Sequence, residues 1–220
     1  MLKEKDFIEI EYIGQLKDGT IFDTNIKEEA KKINLEINTK PLVICLGEAM
    51  ILPAIDKFLI GKKPGEYTID LEPKDAFGNR KPELVKTVPA SVFKNQKVSP
   101  FPGAVFYFDN MVGKVTSVSG GRVMVDFNNP LAGKPVQYKI IVKNQIKDIK
   151  EKIKALIRFY ARKDLSFTFK DNKLSIEADK KEGIILKFFT KKFKEILDFE
   201  LEIKEKSGSE NKIEKSPETK

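Results

Sequence analysis

The stretch from Phe7 to Thr24, FIEIEYIGQLKDGTIFDT, constrains the fold more than any other part of the chain. Its first half alternates apolar and polar side chains up to Tyr12, which is the period of a β-strand with one buried face. Asp18-Gly19 then predicts a tight turn, because both residue types tolerate the positive φ that hairpin turns require. The short apolar run that follows ends in Asp23. We therefore predict a hairpin that brings Tyr12 and Asp23 to neighbouring strands.

Two interpretations of this hairpin are open from its residues alone. In the simpler one it is an ordinary edge hairpin, and Asp23 only begins the next turn. In the other, the Tyr12 hydroxyl and the Asp23 carboxylate share an apolar surface and form part of a functional site.

The composition excludes several classes of protein. Hydrophobic residues make up 40% of the 220 residues, and no apolar run approaches the roughly 18–20 residues that cross a bilayer. The N-terminal segment has acids where a secretory signal needs a continuous apolar core, so we expect a cytoplasmic protein without a membrane partner. The absence of histidine removes His-based triads and the usual zinc-finger spacings. The single cysteine, Cys45, lies in an apolar run and is expected to be a buried thiol.

The net charge of +8 raises the question of a nucleic-acid partner. Only four of the 41 basic residues are arginine, at positions 80, 122, 158 and 162. Base and phosphate readers that bind through two hydrogen bonds favour arginine, so we expect no sequence-specific nucleic-acid binding. A lysine-rich protein associated with ribosomes or nucleic acid remains one alternative.

The hairpin and several later segments form a series of motifs in a recognisable order. The spacing Y-x-G-x-L-x-D-G-x-x-F-D, from Tyr12 to Asp23, resembles the opening signature of the FKBP family of peptidyl-prolyl cis-trans isomerases. The segments PLVICLGEAMILPAID at 41–56 and DAFG at 75–78 resemble its next landmarks, and NPLAGK at 129–134 resembles the SlyD-like branch. This resemblance extends over residues 1 to about 145 and favours the interpretation of the hairpin as part of a site.

The resemblance implies an α+β fold, with an antiparallel FKBP half-barrel sheet and a short helix formed by residues 1–86 and 129–145. Residues 87–128 would then be an insert-in-flap chaperone domain, small and rich in β-strands. From pattern alone, residues 146–205 predict a C-terminal α+β domain of order αββαβ. Residues 206–220 lack the apolar content needed for order, and we expect a disordered tail.

The resemblance also implies a site for rotating X-Pro bonds, with Asp23 at its rim oriented by the Tyr12 hydroxyl. The Leu52 N–H would hold a substrate carbonyl. No bond to an outside atom is made or broken, so the chemistry needs no metal and no cofactor. The residues implied as catalytic are Tyr12, Asp23, Phe77 and Tyr138, and those implied as substrate-binding are Phe22, Leu42, Ile44, Ile51, Leu52 and Ile55.

The insertion is too small to bury all of its apolar side chains. We expect part of them to form an exposed surface that binds unfolded polypeptides with X-Pro bonds, although each could instead belong to the core of the insertion. An isomerase fold that only holds unfolded chains, with a silent site, is a further alternative. The predicted chaperone surface comprises Val92, Phe93, Phe101, Pro102, Val105, Phe106 and Met111.

The C-terminal region carries more apolar surface than a domain of about 60 residues readily buries. Its first helix has a single apolar stripe, and Phe188, Phe189 and Phe193 follow in the second. We therefore expect this region to mediate self-association into a homodimer.

Overall fold

The computed structural model describes residues 1–36, 42–109 and 111–205, so the predicted disordered tail at 206–220 lies outside the described residues. Among these residues, no helix is long and apolar enough to cross a membrane. The elements up to residue 71 are β1 (Phe7–Leu16), β2 (Ile21–Thr24), α1 (Lys27–Lys32), β3 (Leu42–Cys45), α2 (Pro53–Leu59) and β4 (Gly65–Leu71). Next come β5 (Val85–Pro89), α3 (Ala90–Asn95), β6 (Val105–Phe108), β7 (Met111–Ser119) and β8 (Arg122–Asp126). The last are β9 (Val136–Ile146), α4 (Ile149–Ala161), β10 (Phe167–Lys170), β11 (Lys173–Ala178), α5 (Lys180–Phe188), α6 (Thr190–Leu197) and β12 (Glu200–Glu205).

The first sheet is antiparallel and has the order β2-β1-β9-β4, with β3 also paired to β1. The hairpin predicted from Asp18-Gly19 is confirmed, since β1 pairs with β2 and the Gly19 N–H donates to the Leu16 carbonyl. One face of this sheet packs on α2, where Ile55 and Leu59 are fully buried. This antiparallel sheet with its short helix agrees with the predicted fold class.

The second sheet has the order β5-β8-β7-β6 and takes all of its strands from residues 85–126. β5 and β8, the first and last strands of this sheet along the chain, pair with each other, with Val85 opposite Asp126. The Phe127 N–H also donates to the Leu84 carbonyl at 2.9 Å. The chain therefore leaves the first sheet and returns to it at adjacent points.

The third sheet has the order β10-β11-β12 and corrects one detail of the prediction. Its β11 and β12 are parallel, and such a pair needs a long crossover. That crossover contains two helices, α5 and α6, where the sequence predicted one. The break falls at Phe189, whose backbone leaves the helical region and whose ring stacks on Tyr160 at 4.0 Å between centroids. Apolar residues keep helical spacing across the break, so the pattern could not reveal it.

The C-terminal region shares its core with the first sheet. Helix α4 packs on the face of the first sheet opposite α2, and Ile153 and Leu156 join Phe7 and Cys45 in one buried cluster. The predicted burial of Cys45 is confirmed, and this burial raises the pKa of its thiol to about 12. Much of the apolar surface that suggested self-association is therefore covered within the chain, including Phe193, which is fully buried.

Asp56 on α2 is a charged group placed in the core. Its side chain is only 3% exposed, and its Oδ2 accepts the Ala49 N–H at 2.9 Å. Its Oδ1 has no hydrogen-bond partner among the described residues. Burial raises the pKa of this carboxyl to about 6, against the partial compensation of backbone N–H donors.

This carboxyl gives a prediction for the pH dependence of stability. The folded state holds the Asp56 proton to a higher pH than the unfolded state, so the free energy of unfolding falls as pH rises from about 4 to about 6. Asp56→Asn removes this contribution, because the amide does not titrate and still accepts the Ala49 N–H. Urea unfolding at pH 4 and pH 7 should show the variant gaining roughly 2–3 kcal/mol relative to the parent across that interval. A constant difference between the two proteins would contradict the assignment.

Candidate active site

Tyr12 and Asp23 meet at the surface of the first sheet, on the face covered by α2. The Tyr12 hydroxyl donates to Asp23 Oδ2 at 3.1 Å, and both side chains are half-buried. Burial, together with the Asp23 carboxylate, raises the pKa of Tyr12 far above its usual value. The hydroxyl therefore keeps its proton and holds the carboxylate in one orientation.

Three further rings surround this pair. Phe22 packs edge-on against Phe77 at 5.6 Å and against Tyr138 at 5.8 Å, and Tyr138 lies 6.1 Å from Tyr12. Alternation in β9 directs Tyr138 to this face, where it is almost fully buried. The structure thus brings together the four residues predicted as catalytic and Phe22, and it presents a carboxylate beside an apolar, aromatic surface.

Gly14 provides the space for these rings. It lies opposite both Asp23 and Tyr138 in the strand register. A Cβ at this position would lie 2.8 Å from Phe22 Cε2 and 3.1 Å from Tyr138 Cε1, closer than van der Waals contact permits. The glycine in the Y-x-G spacing is therefore required by packing, and its φ is not in the left-handed region.

Gly14→Ala should accordingly disturb the ring cluster. We expect kcat/KM on a prolyl tetrapeptide to fall about tenfold, and the protein to lose roughly 1–3 kcal/mol of stability through overpacking. A protease-coupled isomerisation assay and thermal unfolding measure the two effects. Gly183→Ala in α5 is the matched control, because it adds the same methyl group away from the rings. Unchanged kcat/KM in Gly14→Ala would contradict the packing argument.

Asn25 is a residue of the site that the sequence analysis missed. Along one edge of β1, β3 pairs up to Ile10 and β2 pairs from Ile13 onward, so Tyr12 has no strand partner on that edge. Asn25 lies beside this gap. Its Oδ1 accepts the Tyr12 N–H at 2.8 Å, and its Nδ2 donates to the Ile10 carbonyl at 2.8 Å. This side chain replaces the missing strand partner and fixes the backbone of Tyr12. An asparagine directly after a strand was the available signal, since its amide commonly bonds to nearby backbone.

The predicted substrate-binding residues separate into two groups. Leu42, Ile51 and Leu52 are partly exposed and lie against the same core as the rings. Ile44 and Ile55 are fully buried, which corrects their assignment as contact residues: they support the surface from below. Leu52 is the N-cap of helix α2, and its N–H has no acceptor within the described residues.

Most of the predicted chaperone surface is exposed, with one clear correction. Phe101 is 63% exposed, and Val92, Pro102, Val105 and Met111 are also exposed. Phe93 is 1% exposed and belongs to the core of the second sheet, because α3 turns it onto Val115, Val123 and Val125. Phe106 is partly buried against the same core through its edge-on contact with Phe93 at 5.2 Å.

The outer face of the second sheet carries apolar residues that the sequence analysis did not select. Tyr107 is 79% exposed and lies opposite Val112 across β6 and β7, and Met124 is exposed on β8. In β6 every residue from Val105 to Phe108 is apolar or aromatic. Buried and exposed side chains alternate along β6, but a hydrophobicity pattern cannot show this because all four residues are apolar or aromatic. We name Phe101, Val105, Tyr107, Met111, Val112 and Met124 the insert surface.

Two family models match parts of this chain. The family model for FKBP-type peptidyl-prolyl cis-trans isomerase matches residues 1–100. A second family model, described as FKBP26, IF domain, matches residues 86–131.

Relatives include a short-type peptidyl-prolyl cis-trans isomerase of Methanocaldococcus jannaschii, 27% identical over 66% of this chain and 94% of that protein. The FKBP-type 16 kDa peptidyl-prolyl cis-trans isomerase of Escherichia coli K12 is 34% identical over 48% of this chain and 74% of that protein. The FKBP-type isomerase SlyD of Aeromonas hydrophila is 30% identical over 60% of this chain and 64% of that protein. By these matches, this chain belongs to the family of FKBP-type peptidyl-prolyl cis-trans isomerases.

Proposed function

We propose that this protein is a folding catalyst with two cooperating surfaces. The insert surface holds unfolded polypeptides, and the ring cluster around Asp23 rotates their X-Pro bonds. In this proposal the chain has three parts: an isomerase domain (1–86 and 129–145), an inserted chaperone domain (87–128), and a C-terminal domain (146–205) that packs on the first sheet.

The observation that carries the catalytic role is the Tyr12–Asp23 pair at the edge of the aromatic cluster. The X-Pro bond resists rotation with a barrier of roughly 18–20 kcal/mol, which arises from amide resonance. The twisted amide is less polar than the planar one, so an apolar surface destabilises the planar form more. A million-fold acceleration requires about 8 kcal/mol of such differential binding.

Each side chain then has a defined role. Phe22, Phe77 and Tyr138 provide apolar contacts for the prolyl ring, together with Leu42, Ile51 and Leu52. Asp23 faces the substrate amide in the orientation that Tyr12 imposes. The Leu52 N–H binds a neighbouring substrate carbonyl and holds the chain while the bond turns. No group in this set exchanges atoms with the substrate.

The holding role rests on the insert surface. Val105, Tyr107, Val112 and Met124 are exposed on the face of the second sheet opposite its own small core. Phe101, before β6, and Met111, opposite the partly buried Phe108, are exposed as well. Apolar side chains and methionine suit a surface that accepts many sequences, because apolar attraction has no directional requirement. Holding a chain there raises the local concentration of its prolyl bonds at the first sheet.

The experiment that tests the proposed function is refolding of a protein whose slow phase is set by prolyl isomerisation. We expect catalytic amounts of this chain to accelerate that phase, and excess chain to suppress aggregation of the unfolded protein. Suppression of aggregation without acceleration would instead establish a silent holdase. Retention on RNA that falls steeply with salt would favour the nucleic-acid alternative.

We also propose that two copies associate through the C-terminal region. Ile184, Ile185 and Phe188 are exposed on one side of α5, and Phe188 is 80% exposed. Sedimentation at high micromolar concentration should show a dimer, and Phe188→Ser with Ile184→Ser should shift it to monomer. The matched control is Phe101→Ser, which removes an exposed ring elsewhere and should leave the dimer intact. A parent protein that sediments as a monomer would contradict this assignment.

A further inference from the structure

A cavity of about 170 Å³ lies between β3 and α4. On β3 it is lined by Leu42 and Ile44, which face the ring cluster, and also by Val43, which packs on the opposite face. Side chains from both faces of one strand can line the same space only along the edge of that strand. The cavity therefore follows the edge of β3 that is turned away from β1.

The backbone at this edge is available for pairing. Among the described strands, β3 pairs with β1 alone. The Leu46 N–H points to β1 and donates to the Asp6 carbonyl, whereas the Cys45 N–H points away and donates to Met50 Sδ at 3.1 Å. Antiparallel pairing alternates along the strand, so the N–H and C=O of Val43 also point away from β1. They face the cavity and can bond to an extended polypeptide.

Leu42 lines the cavity and also packs with the cluster that contains Tyr12 and Phe22. Leu42 lies opposite Ile10 in the register, and Tyr12 is two residues further along the same face of β1. Two residues of a strand span about 7 Å. A substrate whose prolyl bond lies against Tyr12 and Asp23 would reach the β3 edge with about two or three further residues in extended conformation.

The far wall of the cavity is positively charged. Arg158 on helix α4 and Arg162 directly after it are two of the four arginines in the chain, and none of the lining residues is acidic. Arg158 is bonded through its Nε to the Asp164 carboxylate. The Arg162 guanidinium lies over the Phe159 ring, 5.3 Å from its centroid, and is exposed. Arg162 therefore presents the charge that a bound chain would meet.

We propose that the β3 edge and Arg162 form a subsite for client residues flanking the prolyl bond, with a preference for aspartate or glutamate. The subsite rests on the proposed isomerase function, and it gives the C-terminal region a role in substrate recognition. The occupant is an extended polypeptide, because the edge offers backbone hydrogen bonds and the arginine offers a partner for a carboxylate.

The test uses the full chain and three sets of prolyl peptides: a tetrapeptide, and peptides extended by three residues on both sides with either glutamate or lysine. We expect the parent to show several-fold higher kcat/KM for the glutamate peptide than for the lysine peptide. Arg162→Gln should remove this preference and Arg162→Glu should reverse it, while tetrapeptide turnover stays unchanged. Arg122→Gln, which removes the same charge from the β7–β8 hairpin, is the matched control and should keep the preference.

Fluorescence anisotropy with the same labelled peptides separates this proposal from the proposed function. No tetrapeptide turnover by the parent would refute the isomerase site, yet the glutamate preference in binding would still report on the subsite. A parent without charge preference, or an Arg162→Glu variant that keeps the parent's preference, would overturn the subsite.

Discussion

Replacing residues 85–126 with a two-residue Asn-Gly turn should separate the two surfaces of this protein. The cut joins Leu84 to Phe127, which are already hydrogen-bonded, so the first sheet can close without the insertion. We expect turnover of a prolyl tetrapeptide to stay within about twofold of the parent. Catalysis of proline-limited refolding should fall about 100-fold, and suppression of aggregation should be lost.

The size of this effect follows from apolar burial. If a client covers about 120 Å² of its apolar surface on the insert surface, the gain is about 3 kcal/mol at 25 cal/mol per Å². That energy corresponds to roughly a 100-fold change in binding of the unfolded chain. A tetrapeptide spans at most about 14 Å, so we expect its turnover not to depend on the second sheet.

A single-residue version of the experiment avoids deleting a domain. Tyr107→Ser removes one ring from the insert surface, and Phe188→Ser removes one from α5; the two side chains are 79% and 80% exposed. Only Tyr107→Ser should weaken catalysis on an unfolded protein. If the deletion variant handles unfolded protein as well as the parent does, the insertion is not a chaperone domain.

Asp23→Ala and Phe77→Ala should each lower kcat/KM on a tetrapeptide about 10- to 100-fold without unfolding the protein. Asp23→Ala removes the carboxylate beside the substrate amide, and with it the acceptor of the Tyr12 hydroxyl. Phe77→Ala removes the ring that packs edge-on against Phe22 and exposes the prolyl surface to water. Both residues are only half-buried, so truncation leaves no closed cavity in the core.

The measurements are the tetrapeptide assay and thermal unfolding of the same preparations. Asp75→Ala is the matched control for Asp23→Ala, because Asp75 is an exposed aspartate in the loop that carries Phe77. It should keep full activity. Parent-like catalysis in both Asp23→Ala and Phe77→Ala would show that the bond is rotated elsewhere.

How well the sequence predicted the structure differs between the first and the second sheet. In the first sheet, Tyr12 and Asp23 were placed together correctly, because the β1–β2 hairpin depends on local turn chemistry and on a two-residue period. In the second sheet, a domain rich in β-strands was predicted, but not which side chains its strands bury. Phe93 was predicted on the surface and lies in the core, whereas Tyr107 and Met124 were not selected and are exposed.

The sequence by itself determined the local elements and the resemblance that led to the family. Turns, strand periods and motif spacing depend only on residues close together in the chain. Tertiary structure alone decided what covers each apolar face. Helix α4 covers Phe7 and Cys45 on the back of the first sheet, and the break at Phe189 lets a ring stack on Tyr160. The cavity beside Val43 exists only because α4 ends along the β3 edge. Burial is a property of contacts between residues far apart in the chain, and a hydrophobicity pattern records which side chains favour burial but not which partners bury them.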